Sequence, residues 1–119
     1  MPIPGQGVNV SGVLALTAPT GGVVAGLIYA YTDVYVVAKE TAAAAATFQG
    51  QHFGGVIVTK NTGTGKSFAI GDKVYRDAST KKATPNATGN TLVGYAIKAA
   101  AIGDTEVEVF FIALPVTAT

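Results

Sequence analysis

The chain has 119 residues, no cysteine and a formal net charge of +1, from eight basic and seven acidic side chains. That length holds one domain with one core, the missing cysteine removes disulfides and thiolate metal sites, and the balanced charge leaves no basic footprint for nucleic acid. Charged residues make up only 13% of the sequence, against roughly 25% in ordinary soluble domains, so an uncharged surface that calls for assembly with a partner is expected.

In chain order, the opening MPIPGQG reads as an irregular arm, because its prolines and glycines sustain neither helix nor central strand. Residues 1–7 are therefore set apart from a single β domain over 8–119. Val8, Val10, Leu14 and Leu16 then share one parity, which predicts a half-buried strand. TAPTGG (17–22) is a turn, and VVAGLIYAYT and DVYVVAK follow as two strands of β-branched and aromatic residues joined near Asp33. Residues 2–32 carry no charge, but Pro2, Pro4 and Pro19 interrupt them. The densest apolar piece, from Val23, is far short of the ~20 residues of a spanning helix. No membrane span is expected, and without a preceding basic segment no signal peptide either.

Ala42–Ala46 favour helix by propensity. So short a helix is marginal alone, and a turn or short helix is expected within 40–53. TFQGQHFGGVIVTK returns to strand, with Gly50 and the Gly54–Gly55 pair marking bulges or bends. Gly71–Asp72 signals a turn, Val74–Arg76 a short strand, TKKATPNATGN a polar loop, TLVGYAIKAA a strand with a central glycine, and AIGD (101–104) another turn. TEVEVFFIAL closes the pattern, with Val107, Val109 and Phe111 on one face and Glu106 and Glu108 on the other, before Pro115. The expected fold is all-β, a small antiparallel barrel or sandwich of about eight short strands with an extended N-terminal arm.

GTGKS (63–67) invites comparison with a phosphate loop. That loop needs G-x-x-x-x-G-K-[ST] between a strand and a helix, because backbone amides and a helix N-terminus hold the phosphates. Here Lys60 stands where the first glycine belongs, and Gly71–Asp72 break the chain after one turn. The stretch reads as a solvated loop with Lys60 and Lys66 on its outside, and no nucleotide is expected. His52 is the sole histidine, with no carboxylate beside it in sequence to complete a metal site; it reads as a polar residue at a strand edge or interface. Ser11, Ser67 and Ser79 lack a nucleophile context. Asn9-Val10-Ser11 and Asn86-Ala87-Thr88 match a glycosylation triplet that chance also supplies. Tyr29, Tyr31 and Tyr35 interleave with aliphatics at strand spacing and read as packing residues. No constellation points to an enzyme, a metal or a cofactor.

The second half carries a longer pattern: Phe68, Gly71, Asp72, Val74, Tyr75 and Asp77; then Thr88, Gly89, Asn90, Gly94 and Ala96; then Gly103, Asp104, Val107 and Val109. In order and spacing it resembles the DUF2190 family of small phage capsid cement, or decoration, proteins. The first half agrees more loosely through LTAPTGGVVAG and departs at ETAAAAATFQGQHF. The resemblance implies a structural protein on the outer surface of a phage head that binds the major capsid protein and stabilises contacts between its subunits. A homotrimer is implied, with a dimer as the variant. Gly71, Asp72, Gly89, Asn90, Gly103 and Asp104 are then fold-determining turns. The uncharged arm, with Pro2, Ile3, Pro4, Gln6 and Val8, is the expected capsid or neighbour contact, adding a strand to a sheet edge. The alternative is a virion-surface carbohydrate- or host-binding module built on the tyrosines and the TKKATPNATGN loop.

Overall fold

A computed structural model of the chain describes residues 12–31 and 34–112. They contain no helix and nine strands: β1 (Val13–Thr17), β2 (Ile28–Tyr31), β3 (Val34–Ala38), β4 (Thr47–Gln51), β5 (Gly54–Thr59), β6 (Lys73–Arg76), β7 (Ala83–Thr84), β8 (Thr91–Ala96) and β9 (Glu106–Phe111). The strands pair antiparallel in two sheets, ordered β1-β4-β3-β2 and β5-β9-β8-β6-β7. The all-β expectation holds, with one strand more than the sequence pattern suggested.

Side-chain alternation on β2 and β3 joins the sheets. Ile28 and its cross-strand partner Val37 face the second sheet and enter one core with Val58, Val74, Val93, Val107, Val109 and Phe111. Tyr29 and its partner Val36 face the other way, into a smaller core with Ala18, Val23, Ala38 and Phe48. Both faces of β2 and β3 are therefore covered, which suits their near-continuous apolar sequence. β9 shows the simpler pattern, with Val107, Val109 and Phe111 buried while Glu106, Glu108 and Phe110 face outward.

The two sheets follow one plan. Each places its first strand beside its last, then the third, then the second, if β7 is set aside. In the first, Val23 bridges Ala42, Gly26 N–H donates to Ala38 O (2.8 Å) and Ala38 N–H to Leu27 O (3.0 Å). In the second, Phe68 bridges Ala100, Gly71 N–H donates to Ala96 O (2.7 Å) and Ala96 N–H to Asp72 O (2.9 Å). The β7 excursion has no counterpart in the first sheet. Its Lys81 O accepts from Ile28 N–H and ties the halves together, as Arg76 Nε on β6 does by donating to Ile28 O, while Asn61 N–H holds β7 within the second half by donating to Ala83 O.

Several local expectations are corrected. Of the turn or short helix expected within 40–53, the structure has the turn, at Ala44–Ala45, with Ala45 in the left-handed region at φ 68°, and β4 follows. The polar loop TKKATPNATGN contains β7, whose Ala83 and Thr84 are fully buried. Gly50 is no bulge; it sits in regular register opposite Leu14 and Ala38, and a Cβ there would lie 3.0 Å from Val36. The one irregular register in the second sheet lies between Val74 and Tyr75. Val8, Val10, Asp33 and Pro115 lie outside the described residues.

Candidate functional site

The turns are built first by backbone, then by carboxylates. AIGD occurs twice, at 69–72 and 101–104. In the first copy Asp72 N–H donates to Ala69 O (3.1 Å) while Ala69 N–H donates to Asp72 Oδ2 (2.8 Å). In the second, Asp104 N–H donates to Ala101 O (3.1 Å) and Ala101 N–H to Asp104 Oδ2 (2.9 Å). Each aspartate thus closes its own turn, as short carboxylates do. Gly71 has φ 90°, which only glycine adopts freely, whereas Gly103 does not lie in the left-handed region. Asn90 follows Gly89 (φ 74°), accepts from Ala78 N–H and donates to Asn86 O. Both AIGD turns hold an isoleucine out into solvent, Ile70 at 72% and Ile102 at 50% exposure.

Lys60 is the main correction to the sequence reading. It is buried, not on the outside of a loop, and its ammonium donates to Asn61 O (2.9 Å), Ala101 O (3.0 Å) and Asp104 O (2.9 Å). Three donors meet three carbonyls, which satisfies the group completely. Burial pushes its pKa below the ordinary lysine value, and the Asp104 charge pulls the other way. Lys66 is half-buried. The stretch that resembles a phosphate loop therefore has its first lysine committed inward and no helix after its second.

Asp77, in the loop before β7, accepts from Ser79 N–H (2.8 Å) and Thr80 N–H (3.2 Å) on one oxygen and from Asn61 Nδ2 (2.8 Å) on the other. Burial would push its pKa up, but those hydrogen bonds and the Lys66 charge hold it below the usual carboxylate range. Glu108 reaches Lys98 at 3.6 Å in an exposed pair worth little. His52 is half-buried just after β4, its N–H donating to Gly12 O. No cluster of three or more His, Cys, Asp or Glu suited to a metal occurs among the described residues.

The tyrosines of the first half serve structure. Tyr29 OH accepts from Val24 N–H, Tyr31 OH donates to Thr17 O, and Tyr35 lies under the Arg76 guanidinium, 5.3 Å from it. The exposed aromatic cluster lies elsewhere, and the sequence reading did not find it. On the outer face of the second sheet, Phe110 stacks on Tyr95 (5.5 Å, 17° between planes) and takes Phe53 edge-on (5.5 Å, 78°). Ile57, Ile97 and Ile112 are exposed around them. Gly55, opposite Phe110, leaves the strand there without a side chain. Beside this face an open groove of about 500 Å³ runs between the sheets, lined by Gly26, Lys39, Gln51, Ile57, Thr59 and Glu106.

None of these features has the arrangement of an active centre; what stands out is exposed apolar side chains on turns and on one sheet face, where Glu106 and Glu108 also point outward. A family model described as phage cement protein matches residues 8–111. The chain belongs to the phage cement protein family. This is a family of structural, capsid-associated virion proteins. No curated protein matches the chain, and no solved structure does. The cement protein's arm residues Pro2, Ile3, Pro4, Gln6 and Val8 lie outside the described residues.

Proposed function

We propose that this cement protein binds the outer surface of a phage head and stabilises contacts between major capsid protein subunits. The match to the phage cement family over residues 8–111 carries the reading. The surface supports it: Val24, Ile70 and Ile102 are exposed apolar side chains on turns, and Ala43–Ala46 form an exposed, uncharged turn beside Val23. Such surface associates when a partner covers it, and several modest contacts made together give strong attachment. The active unit is a homotrimer, and the uncharged arm, with Pro2, Ile3, Pro4, Gln6 and Val8, reaches a neighbouring subunit. Gly71, Asp72, Gly89, Asn90, Gly103 and Asp104 act in folding.

The test is co-sedimentation with undecorated heads of the cognate phage, followed by thermal disruption of the decorated particles. Saturable binding and a higher disruption temperature are expected, and deleting residues 2–7 should weaken attachment. Absence of binding, or binding with no change in head stability, refutes the proposal. Light scattering on the free protein reads the oligomer directly.

A further inference from the structure

An edge strand turns a row of N–H and C=O groups out of its sheet, and a stable fold covers or guards them. The two sheets here end in β1, β2, β5 and β7. On β2, Ile28 N–H donates to Lys81 O, and Ile28 O accepts from Arg76 Nε. On β5, Thr59 N–H donates to Gly26 O, and Gly55 O accepts from Gln51 Nε2. On β7, Ala83 O accepts from Asn61 N–H. β1 is different. Gly12 O accepts from His52 N–H and Ala18 N–H donates to Ala46 O, so Gly12, Leu14, Leu16 and Ala18 bond inward to β4. Val13, Ala15 and Thr17 therefore point their backbone groups outward. Among the described residues, only Thr17 O meets a partner there, the Tyr31 hydroxyl. Nothing within the strand guards this edge either: VLALT has no charge and no proline, and its register with β4 runs without a bulge from Val13 to Thr17.

We propose that β1 pairs antiparallel with β1 of a second copy about a two-fold axis at Ala15, so that their first sheets join edge to edge. In that register the strand is complementary to itself, as an isologous contact requires. Ala15 meets its own counterpart and Val13 meets Thr17, and each such pair exchanges two backbone bonds. Thr17 O keeps a lone pair for this beside the Tyr31 hydroxyl. A register centred on Leu14 would leave Thr17 unused. The side chains agree with the backbone. Leu14 of one copy falls opposite Leu16 of the other, at ~4.5–5.5 Å between Cβ atoms. Leu16 packs on the smaller core, and Leu14 stands 36% exposed on the same strand face. Pairing thus carries that apolar face across both copies, while alanine at the axis obstructs nothing. A foreign strand would satisfy the same backbone groups, but VLALT carries no charge with which to select one. The contact is short, so it is weak between two free molecules and strengthens where many copies are held side by side. It does not rest on the capsid reading; where copies do cover a head, it links one unit to the next.

Amide exchange in the free protein tests the edge residue by residue. Raising the concentration from micromolar to millimolar should slow exchange at Val13, Ala15 and Thr17 several-fold, while Leu14 and Leu16, already bonded to β4, stay constant. Ala15 is exposed, so a charge there leaves the domain folded. Ala15→Lys and Ala15→Glu each set like charges opposite themselves and should lose the concentration dependence; mixed in equal amounts, they should regain it. Trapping gives a separate readout, because the protein has no cysteine. Paired Ala15 Cα atoms would lie about 5.5 Å apart, within disulfide reach, so Ala15→Cys should form linked dimers roughly tenfold faster than Ala30→Cys, at an exposed position of β2. Val13 and Ala15 amides protected equally at every concentration would mean an edge closed within its own chain. That result, exchange that stays fast at every concentration, equal trapping at Ala15 and Ala30, or no recovery in the mixture each overturns the proposal. No capsid enters these experiments, so their failure leaves the capsid reading untouched.

Discussion

Replacing Lys60 by methionine keeps the length of the stem and removes the ammonium. In the folded protein that ammonium satisfies the carbonyls of Asn61, Ala101 and Asp104. Ala101 O retains the Asp104 N–H at 3.1 Å, while the other two carbonyls lose the donor the fold gives them. Each stranded acceptor costs about 1–3 kcal/mol when dry and less where water reaches it. Removing a desolvated charge returns part of that. The net expectation for Lys60→Met is a loss of about 1–3 kcal/mol at neutral pH, or roughly 3–15 °C in melting temperature for a domain of this size. Urea denaturation followed by circular dichroism measures it as a lower midpoint with an unchanged slope. The pH dependence supplies an independent sign. Burial holds the folded pKa of Lys60 below the ordinary value, against the pull of Asp104. Between the folded and ordinary values the unfolded chain binds a proton that the folded one does not, so wild-type stability rises with pH there. The variant lacks that rise, and the gap between the two proteins should widen towards alkaline pH. An unchanged midpoint refutes the burial of Lys60. A gap that narrows as pH rises refutes the account of its environment.

Other perturbations follow from single observations. Ala45→Gly should stabilise by a few tenths to about 1 kcal/mol, because alanine at φ 68° is strained by more than glycine loses in entropy; a lower melting temperature would show that the turn is not left-handed. Gly94→Ala should destabilise by about 1–3 kcal/mol, because its Cβ would overlap Phe110 O across the β8–β9 ladder; an unchanged midpoint would contradict that packing. Asp77→Asn should cost about 1–2 kcal/mol at pH 7, since an amide cannot accept from Ser79, Thr80 and Asn61 on both sides as a carboxylate does. The folded pKa of Asp77 is depressed, so its contribution is present above the ordinary carboxylate range and lost as pH falls through the folded value. Denaturation at pH 7 and pH 3 should therefore show the wild-type advantage shrinking in acid, and a constant advantage would refute the assignment.

What the sequence revealed depended on whether the signal was local. Alternation at Val107, Val109 and Phe111 fixes the inward face of β9 within a few residues, and the glycine-aspartate pairs mark turns that their own carboxylates close, with Gly71 alone of the two glycines needing the left-handed region. β7 escaped because Ala83 and Thr84 are two residues inside a polar run, buried by tertiary contacts that no window sees. Lysine reads as a surface residue, and only the three-dimensional convergence of Asn61, Ala101 and Asp104 makes room for Lys60 inside. Phe53, Tyr95 and Phe110 are far apart in sequence and meet through strand pairing, so the aromatic face had no linear signature. The shared plan of the two sheets is equally hidden. The identical AIGD tetrapeptides both fall in the second half, while across halves the equivalent bridges are Val23–Ala42 and Phe68–Ala100.

That shared plan explains why one half needs a buried charge and the other does not. In the first sheet the chain from the Ala42 bridge to β4 is closed by backbone alone: Ala45 N–H donates to Ala18 O, Ala46 N–H to Ala43 O and Ala18 N–H to Ala46 O. The tightness forces Ala45 into the left-handed region. In the second sheet the corresponding segment, from Ala100 to β9, is one residue longer. Lys60 occupies the place of Ala18, its N–H donating to Thr105 O as Ala18 N–H does to Ala46 O. The extra residue relaxes the turn, so Gly103 needs no left-handed backbone, and it leaves the carbonyl of Asp104 without a backbone donor and that of Ala101 with only the Asp104 N–H at 3.1 Å. A side chain long enough to enter from the strand end, carrying three protons, does what the shorter loop achieves by geometry. The turn held in this way is the one that presents Ile102 to solvent. The buried lysine thus adds three hydrogen bonds from below to a turn that Asp104 closes from within, and together they fix the position of Ile102.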